Sequence, residues 1–193
     1  MARPLAVTGG VLRGRHLARP HGATVRPTAA RVREALFSIL GQRLDGQRVL
    51  DLFAGTGTMG VEAVSRGAGE VVFVDSCRDH VRLIEANLQL LDGLAVSQVV
   101  CRDAVVALTS LAERQAPFDL VFIDPPYGTG LAERCLEAIS PVAEKLLAQG
   151  SVLVVESDGR EQLPDELGSW RSVDRRNYGQ TRLDIYRQVE KQP

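Results

Sequence analysis

The chain has 193 residues, of which 45% are hydrophobic and 24% charged, and its formal net charge is −1. This length suits one sizeable core, no apolar stretch is long enough to span a bilayer, and the N-terminus lacks a signal-peptide core, which together predict a cytoplasmic protein. The three cysteines are scattered and there are three histidines. We therefore expect buried, reduced thiols and no metal site.

Charge is distributed unevenly along the sequence. Residues 1–33 contain seven arginines and no acidic residue, whereas the remainder holds 16 basic and 24 acidic residues, a net charge of −8. This separation predicts that the N-terminus contacts a polyanion; the alternative is a solvated basic tail. Glycines 9, 10 and 14 favour a small β-hairpin there. We expect residues 1–25, here called the basic arm, to form an extension of a main domain at 26–193.

Helices and strands alternate in the predicted main domain, after a first helix that begins at Thr28 or Ala29 and ends at Leu40. This alternation predicts an α/β fold with right-handed crossovers and a seven-stranded, mostly parallel sheet whose last two strands form a hairpin. Predicted strands lie near 48–53, 70–74, 98–101, 120–123, 151–156, 170–178 and 181–187. Predicted helices lie between the first five strands, near 59–66, 79–90, 104–114 and 131–147.

A glycine-rich loop follows the first predicted strand. Gly55, Gly57 and Gly60 match G-x-G-x-x-G in the required context of strand, turn and helix. Asp75 ends the next strand, 20 residues after Gly55, where a carboxylate can accept hydrogen bonds from both hydroxyls of a ribose. The loop and Asp75 together predict a cofactor that contains adenosine.

Two further carboxylates end predicted strands. Asp51, beside the glycine loop, would repel a pyrophosphate but suits the ammonium and sulfonium groups of S-adenosylmethionine. The alternative is a structural acceptor for loop amides. Asp103 could accept from the adenine amine, with the Ala104 amide bonding the ring, or could cap a helix N-terminus.

The segment Asp124-Pro125-Pro126-Tyr127 follows a short apolar strand. Two prolines cannot donate hydrogen bonds to a sheet, so the strand has to end there. The segment presents a carboxylate, carbonyl groups and an aromatic ring, a set suited to holding a flat nitrogen heterocycle by its exocyclic amine. The alternative is a strand-end turn with a solvated aspartate.

These motifs and the segment Arg26-Pro-Thr-Ala-Ala-Arg-Val-Arg-Glu-Ala-Leu-Phe37 resemble the RsmD-type methyltransferases over nearly the whole chain. The resemblance implies a Rossmann-like class I S-adenosylmethionine-dependent fold and methylation of the exocyclic N2 of a guanine in 16S rRNA, which the family calls guanine 966. It further implies that the substrate is 16S rRNA, in the small ribosomal subunit or an assembly intermediate. We also expect a monomer that contacts no membrane. The family often has aspartate where Ala30 stands, which puts any contact of that side chain in doubt.

The expected site residues fall into three sets. The catalytic set holds and stacks on the base, and comprises Asp124, Pro125, Pro126 and Tyr127. The cofactor set comprises Asp51, Phe53, Ala54, Gly55, Thr56, Gly57, Asp75, Asp103 and Ala104. The RNA-binding set comprises Arg13, Arg15, Arg26, Thr28, Arg31 and Arg33, although Thr28 and Arg31 could face the cofactor instead.

The basic arm is expected to serve RNA binding alone, so that its loss should leave cofactor affinity unchanged.

Three other functions are compatible with parts of the sequence pattern. A DNA adenine-N6 methyltransferase would use the same Asp-Pro-Pro-Tyr segment, and a nicotinamide-dependent oxidoreductase would use the glycines and Asp75. A non-catalytic RNA-binding assembly factor would keep only the fold.

Overall fold

In the computed structural model of this chain, the backbone is described for residues 5–20 and 27–189, and the side chains for 5–20 and 30–189. The chain divides into two compact units, Met1–Cys101 and Arg102–Pro193. Each unit has its own strands, helices and buried side chains.

Three parallel strands form the centre of the first unit: β1 (Arg48–Leu52), β2 (Glu70–Asp75) and β3 (Val96–Cys101). β2 lies between the other two and pairs with both. Residues 71–74 of β2 have no exposed surface. Such a continuous apolar run is typical of a parallel strand that is covered on both faces.

Helices α1 (Pro27–Leu40), α2 (Thr58–Ser65) and α3 (Arg78–Leu88) belong to this unit, and a 3-10 turn extends α3 through Gln89–Leu91. α1 begins at a proline because the first helical position needs no N–H donor and proline already has the required φ. The last six residues of α2 are buried, so almost the whole of this short helix is withdrawn from solvent.

The described part of the basic arm, residues 5–20, folds back on itself. An antiparallel bridge joins Ala6 to His16, and three backbone hydrogen bonds of 2.8 to 3.0 Å, including those of the bridge, join the two sides. Val7 and Leu17 are buried. The arm therefore has the hairpin-like shape expected from its glycines, but it is packed into the first unit by apolar side chains.

Strands form the larger part of the second unit. Five strands lie side by side and form four pairs. The first pair is parallel, and the other three pairs are antiparallel. In order across the unit, the strands are β4 (Phe118–Ile123), β5 (Leu147–Asp158), β8 (Thr181–Gln188), β7 (Trp170–Tyr178) and β6 (Glu166–Leu167).

The helices of the second unit are α4 (Ala104–Arg114), α5 (Leu131–Ile139) and α6 (Ala143–Leu146). One continuous helix over 131–147 was predicted where α5 and α6 lie, and this prediction is wrong. A 3-10 turn separates the two helices at Ser140–Val142. Pro141 lies in that turn and cannot donate the backbone hydrogen bond that a continuous α-helix would need.

The described residues contain three strands in the first unit and five in the second, one more than the seven predicted. The additional strand is β6, which has two residues. So short a segment carries no recognisable alternation of apolar and polar residues, and its pairing with β7 alone defines it.

The expectation of buried thiols holds for one cysteine of three. Cys135 is buried, which raises the pKa of its thiol to about 12, whereas Cys77 and Cys101 are exposed. In the part of the chain that the structure describes, no cluster of three His, Cys, Asp or Glu side chains could hold a metal ion. No helix of the described ranges has the length and apolar character needed to cross a membrane.

Candidate active site

The loop between β1 and α2 has left-handed backbone at three positions: Phe53 (φ 62°), Gly55 (φ 57°) and Gly57 (φ 75°). Glycine adopts this conformation freely, but a bulky residue does so at a cost of about 1–3 kcal/mol. Phe53 accordingly ends β1 one residue earlier than the strand predicted over 48–53. Strained non-glycine backbone is concentrated at ligand-binding loops, so Phe53 adds a structural signal to the glycine pattern.

Two structural requirements explain the glycines of this motif: close packing that leaves no space for a Cβ, and left-handed backbone. A Cβ on Gly60 would lie 2.2 Å from Cε1 of Phe73, and one on Gly57 would lie 3.3 Å from the same atom. Both glycines therefore let α2 approach β2 closely. A Cβ on Gly55 would meet the Phe53 carbonyl oxygen at 3.9 Å, so the requirement at Gly55 is its left-handed backbone.

Asp51 lies in β1 directly before this loop and is 2% exposed. Its Oδ2 accepts a hydrogen bond from the Gly60 N–H at 2.9 Å. The pKa of the Asp51 carboxyl is raised to about 7, mainly by burial; the Gly60 hydrogen bond opposes this rise and the negative charge of Asp75 adds to it. Asp51 is thus a structural acceptor for an amide of α2, the alternative that the sequence left open. A carboxylate can accept about four hydrogen bonds, so this role does not exclude a ligand.

Asp75 ends β2 and is 8% exposed. Its two oxygens accept hydrogen bonds from the N–H groups of Gly55 and Cys77, each at 2.8 Å. Nδ1 of His80 lies 3.1 Å from the oxygen that also bonds Gly55. These contacts fix the Asp75 carboxylate against the glycine loop, at the place where ribose hydroxyls are expected.

The first unit therefore gathers two nearly buried carboxylates and a loop of left-handed backbone in one region. Acceptors of this kind bond hydroxyl and ammonium groups, and their negative charge opposes a phosphate-bearing ligand. The set fits an adenosine compound with a cationic tail better than it fits a dinucleotide.

In the second unit, Asp103 is the N-cap of α4. Its side chain accepts a hydrogen bond from the Val106 N–H at 3.1 Å, and Asp103 is exposed while Ala104 is buried. The helix-cap alternative is therefore observed. An exposed carboxylate has further acceptor positions, and the adenine role of Asp103 and Ala104 stays a prediction.

β4 ends at Ile123, so the Asp-Pro-Pro-Tyr segment lies outside the strand, as its prolines require. Asp124 and Pro126 are exposed, Pro125 is buried and Tyr127 is half-buried. The segment thus presents its carboxylate at the surface of the second unit while Pro125 is anchored inside.

The Tyr127 ring is held by its hydroxyl end. The hydroxyl donates a hydrogen bond to the Glu156 carboxylate, and it lies 2.8 Å from the Thr181 hydroxyl. Burial raises the pKa of the Tyr127 phenol above its ordinary value, and the bond to Glu156 adds to this shift. Tyr127 is therefore neutral at ordinary pH, and two neighbouring strands, β5 and β8, fix its orientation.

The predicted RNA-binding residues differ in exposure and in how much of them the structure describes. Arg13, Arg15 and Arg31 are exposed and available to a polyanion. Arg26 lies outside the described residues, and of Thr28 only the backbone, in α1, is described. The choice between cofactor and RNA for Thr28 and Arg31 therefore stays open.

Arg33 requires a correction, because its side chain is only 5% exposed. It donates to the Ala6 carbonyl at 2.8 Å and pairs with the Glu62 carboxylate at 3.3 Å. Burial lowers the pKa of its guanidinium despite this pairing. Arg33 stabilises the packing of the arm and α1, and a phosphate cannot reach a side chain enclosed in this way.

Sequence reasoning missed four polar residues that bond the candidate site residues or the segments carrying them. They are Glu62 and Asn87 in the first unit, and Glu156 and Thr181 in the second. Glu62 has no exposed surface and bonds both the N–H and the hydroxyl of Thr8 at 2.7 Å, together with Arg66 at 2.8 Å. Its position within the apolar run Val-Glu-Ala-Val was the one available signal. The partner Thr8 lies 54 residues away, so no local pattern identifies it.

Solved structures define the class of this protein. The yhhF protein of Escherichia coli, described as a candidate methyltransferase, superposes with a TM-score of 0.81 at 30% identity, covering 98% of this chain and 100% of that one. A candidate methylase of Haemophilus influenzae gives 0.78 at 26% identity, covering 97% and 100%. The predicted Rossmann-like class I methyltransferase fold is confirmed.

Sequence comparison then defines the family. The profile of the family described as Conserved hypothetical protein 95 matches residues 5–187. Ribosomal RNA small subunit methyltransferase D of Escherichia coli strain K12 is 32% identical over 182 residues, 94% of this chain and 89% of its own. The protein of that name from Haemophilus influenzae is 33% identical over 153 residues, 79% and 78% of the two chains. This chain belongs to the family of RsmD-type methyltransferases.

Proposed function

We propose that this chain methylates the exocyclic N2 of one guanine in 16S rRNA, guanine 966 in the designation of the family, with S-adenosylmethionine as methyl donor. The observation that carries the proposal is the end of β4, where an exposed Asp124 adjoins an aromatic ring fixed through Glu156 and Thr181. The names of the relatives from Escherichia coli and Haemophilus influenzae support a small-subunit rRNA substrate. Such a substrate implies a cytoplasmic enzyme, which we expect to act as a monomer.

S-adenosylmethionine, when bound, supplies a methyl group attached to a positively charged sulfur. Asp75 would accept the ribose hydroxyls, and Asp51 would offset the positive charge of the ligand. The loop Phe53, Ala54, Gly55, Thr56 and Gly57 would line the ligand, with Asp103 and Ala104 at the adenine.

Asp124 and Pro125 would prepare the guanine amine. The lone pair of this amine is delocalised into the purine ring, which makes the nitrogen a poor nucleophile. The Asp124 carboxylate and the Pro125 carbonyl would each accept one N–H, and would thereby direct the remaining electron density outward. Placement of this kind contributes roughly 7–11 kcal/mol to catalysis. As the new carbon–nitrogen bond forms, the carbon–sulfur bond of the donor would break and S-adenosylhomocysteine would leave. Asp124 would take the proton that the amine loses.

Tyr127 would stack on the guanine after that base leaves its neighbours in the RNA. A base–aromatic stack contributes on the order of 1–3 kcal/mol. The exposed Arg13, Arg15 and Arg31 would hold phosphates. Each duplex phosphate neutralised would add about 0.9 to the slope of log affinity against log salt, and each single-strand phosphate about 0.7.

Small ribosomal subunits purified from cells that lack this protein provide the test. Incubation with the protein and isotopically labelled S-adenosylmethionine, followed by mass spectrometry of rRNA fragments, should locate one labelled N2-methylguanine. Naked 16S rRNA and duplex DNA serve as comparison substrates. Labelled adenine in DNA would identify the adenine-N6 enzyme instead, and no label on any substrate would support the non-catalytic assembly factor.

Asp124→Ala tests the role of the carboxylate in the same assay. Turnover should fall by at least about 100-fold, because positioning and proton transfer are both lost, while calorimetry should give unchanged affinity for S-adenosylhomocysteine. Asp92→Ala, which removes an exposed aspartate elsewhere, should leave turnover unchanged. Undiminished turnover by Asp124→Ala would remove this residue from the mechanism.

A further inference from the structure

The basic arm is connected to the glycine-rich loop through one buried side chain, Asn87 of α3. Asn87 is 2% exposed. Its Oδ1 accepts the Ala18 N–H at 2.6 Å, and its Nδ2 donates to the Ala18 carbonyl at 3.2 Å. The same Nδ2 donates to the Thr56 carbonyl, in the middle of the glycine loop, at 2.8 Å. One side chain thus bonds the main chain of both segments.

The geometry explains why the residue is an asparagine. A side-chain amide presents an acceptor and a donor side by side, so it pairs with the N–H and the carbonyl of Ala18 much as a neighbouring strand would. The second N–H of the amide is then directed to Thr56. Neither leucine nor aspartate could make all three contacts, because each lacks the N–H donors.

The arm is also fixed at the far end of its hairpin, so the contact at Ala18 belongs to a segment held at both ends. Glu62 bonds Thr8. The Ser65 hydroxyl donates to the Gly9 carbonyl at 2.6 Å and accepts the Leu12 N–H at 2.8 Å. Because the arm is held at both ends, a displacement of the arm would also displace the Ala18 backbone and break its contacts with Asn87.

Other hydrogen bonds hold the glycine loop on either side of the Thr56 carbonyl. The Ala54 N–H donates to the Val74 carbonyl at 3.0 Å, and the Thr56 hydroxyl lies 2.7 Å from the Thr58 hydroxyl. The Gly55 N–H is bonded to Asp75 and the Gly57 N–H to the Ala54 carbonyl. The Asn87 contact adds a bond to the peptide group between these two glycines. Glycine-rich backbone is conformationally free, so the bond at Thr56 limits the conformations that the loop can adopt.

We propose that Asn87 is a positioning residue that makes the docked basic arm a structural part of the cofactor site. The docked arm holds Asn87, and Asn87 holds the glycine loop in the conformation that binds S-adenosylmethionine. This inference replaces the expectation that the arm serves RNA alone and that cofactor affinity is independent of it.

A second consequence rests on the proposed function. RNA that binds Arg13 and Arg15 would favour the docked arm, and the docked arm favours the cofactor-binding loop. Thermodynamic reciprocity then requires that the cofactor increase the affinity for RNA by the same factor by which RNA increases the affinity for the cofactor. Binding of the two substrates would be cooperative although neither contacts Asn87 directly.

The decisive experiment is a double-mutant cycle on the full-length protein without RNA, read by calorimetry with S-adenosylhomocysteine. Asn87→Ala removes the link at its centre. Ala18→Pro removes the arm's N–H donor at an exposed position and leaves Asn87 and Thr56 intact. Each change should weaken binding by about fivefold to tenfold, the effect of one or two buried hydrogen bonds. The double variant should bind no more than about twofold more weakly than Asn87→Ala, because both changes break the same connection.

Ser151→Ala is the matched control, since it deletes a buried hydrogen bond to the Trp170 indole in the second unit. It should lower the melting temperature as the other variants do, with unchanged ligand affinity. Hydrogen exchange should be faster at the amides of residues 55–60 in Ala18→Pro than in the parent. An Ala18→Pro protein that folds and keeps full affinity, or effects that simply add in the double variant, would overturn the proposal.

A separate measurement tests the cooperative consequence. The affinity for S-adenosylhomocysteine is measured with and without a saturating fragment of 16S rRNA, for the parent and for Asn87→Ala. The parent should show an increase of several-fold that the variant lacks. If the RNA does not bind at all, the proposed function fails while the RNA-free cycle still decides the role of Asn87. If RNA binds and changes both proteins equally, Asn87 is not the connection.

Discussion

Asp51 combines two properties that seldom occur together in one side chain: almost complete burial and a charge that the proposed ligand needs. Burial raises its pKa to about 7, so near neutrality the folded protein contains both the protonated and the ionised form. Only the ionised form attracts a cationic ligand. We therefore expect the affinity of this site for a cationic ligand to depend on pH near 7.

The sign of the effect on stability follows from proton linkage. Between the ordinary carboxyl pKa of 3.8 and about 7, the folded state binds a proton at Asp51 that the unfolded state does not. The free energy of unfolding contributed by this group therefore falls as the pH rises through that window and is constant above it. Chemical denaturation of the parent and of Asp51→Asn should show this decline, on the order of a few kcal/mol, in the parent alone.

The affinity for S-adenosylmethionine should change in the opposite direction. Calorimetry at about pH 6 and about pH 8 should give tighter binding at the higher pH for the parent, because ionised Asp51 interacts favourably with the cation. Asp51→Asn should bind more weakly, with no such dependence. Tighter binding at the lower pH would show that Asp51 does not face the positive charge of the ligand.

The Tyr127 ring is expected to stack on the guanine, and the Tyr127 hydroxyl to hold the ring in the orientation that stacking needs. Tyr127→Phe keeps the ring but loses the contacts with Glu156 and Thr181, so methylation should slow by about fivefold, the effect of one hydrogen bond. Tyr127→Ala also loses the stacking energy of about 1–3 kcal/mol, which multiplies the fivefold effect by a further factor of roughly 5 to 150, so methylation should slow by at least about 25-fold.

Tyr186→Phe is the matched control for this pair, because Tyr186 is buried in the same unit and its hydroxyl donates to the Pro164 carbonyl at 2.6 Å. It should reduce stability and leave turnover unchanged. Equal turnover by Tyr127→Ala and the parent would exclude stacking on this ring.

At the scale of elements, Glu62 connects α2 to two other segments of the first unit, the arm and α1. The Glu62 carboxylate bonds Thr8 of the arm and pairs with Arg33 of α1 and with Arg66. The Arg66 guanidinium also lies 4.6 Å from the centre of the Phe37 ring. Glu62→Gln would leave two buried guanidinium groups without their carboxylate, so the free energy of unfolding should fall by about 3–5 kcal/mol.

A second ion pair in the same unit provides the comparison. Glu70 pairs with Arg48 at 2.7 Å, but its side chain is 32% exposed. Water and salt weaken such a pair, so Glu70→Gln should cost no more than about 1 kcal/mol. Similar losses for the two variants in urea denaturation would show that the Glu62 cluster contributes no more than a surface pair.

Most elements could be predicted from the sequence because the apolar runs are long and the breakers are explicit. Strand β1 begins at Arg48 as predicted, and β4 and β7 end where predicted. The predicted boundaries differ from the observed ones where a single residue interrupts the element. Phe53 adopts a left-handed backbone conformation after β1, and Pro141 lies in the turn that separates α5 from α6. β5 is longer than predicted because its ends pair with neighbouring strands without an apolar pattern of their own.

Part of the candidate site could be predicted from the sequence and part could not. Carboxylates at strand ends follow from the parallel topology, which is why Asp51, Asp75 and Asp124 could be selected from the sequence. Asn87 could not, because Ala18 lies 69 residues and Thr56 31 residues from it. Arg33 illustrates the opposite error, since a run of arginines gives no indication of which one is buried.

At the scale of the whole molecule, the net charge of −1 conceals a basic N-terminus and an acidic remainder. Electrostatic attraction to an acidic surface is not directional and would not by itself fix the orientation of the arm. Hydrogen bonds with Glu62, Ser65 and Asn87 give the described part of the arm a fixed place. The exposed Arg13 and Arg15 are therefore carried on an ordered segment, and under the proposed function such a segment should be more selective toward the shape of an RNA than a flexible tail of equal charge.

The order of synthesis gives the docked arm one more consequence. The arm leaves the ribosome before its anchors, because residues 62, 65 and 87 are made 53 to 69 residues later than the arm atoms they bond. Long-range contacts of this kind form slowly, so arm docking should be a late event in folding, and fully effective binding of the methyl donor should await its completion.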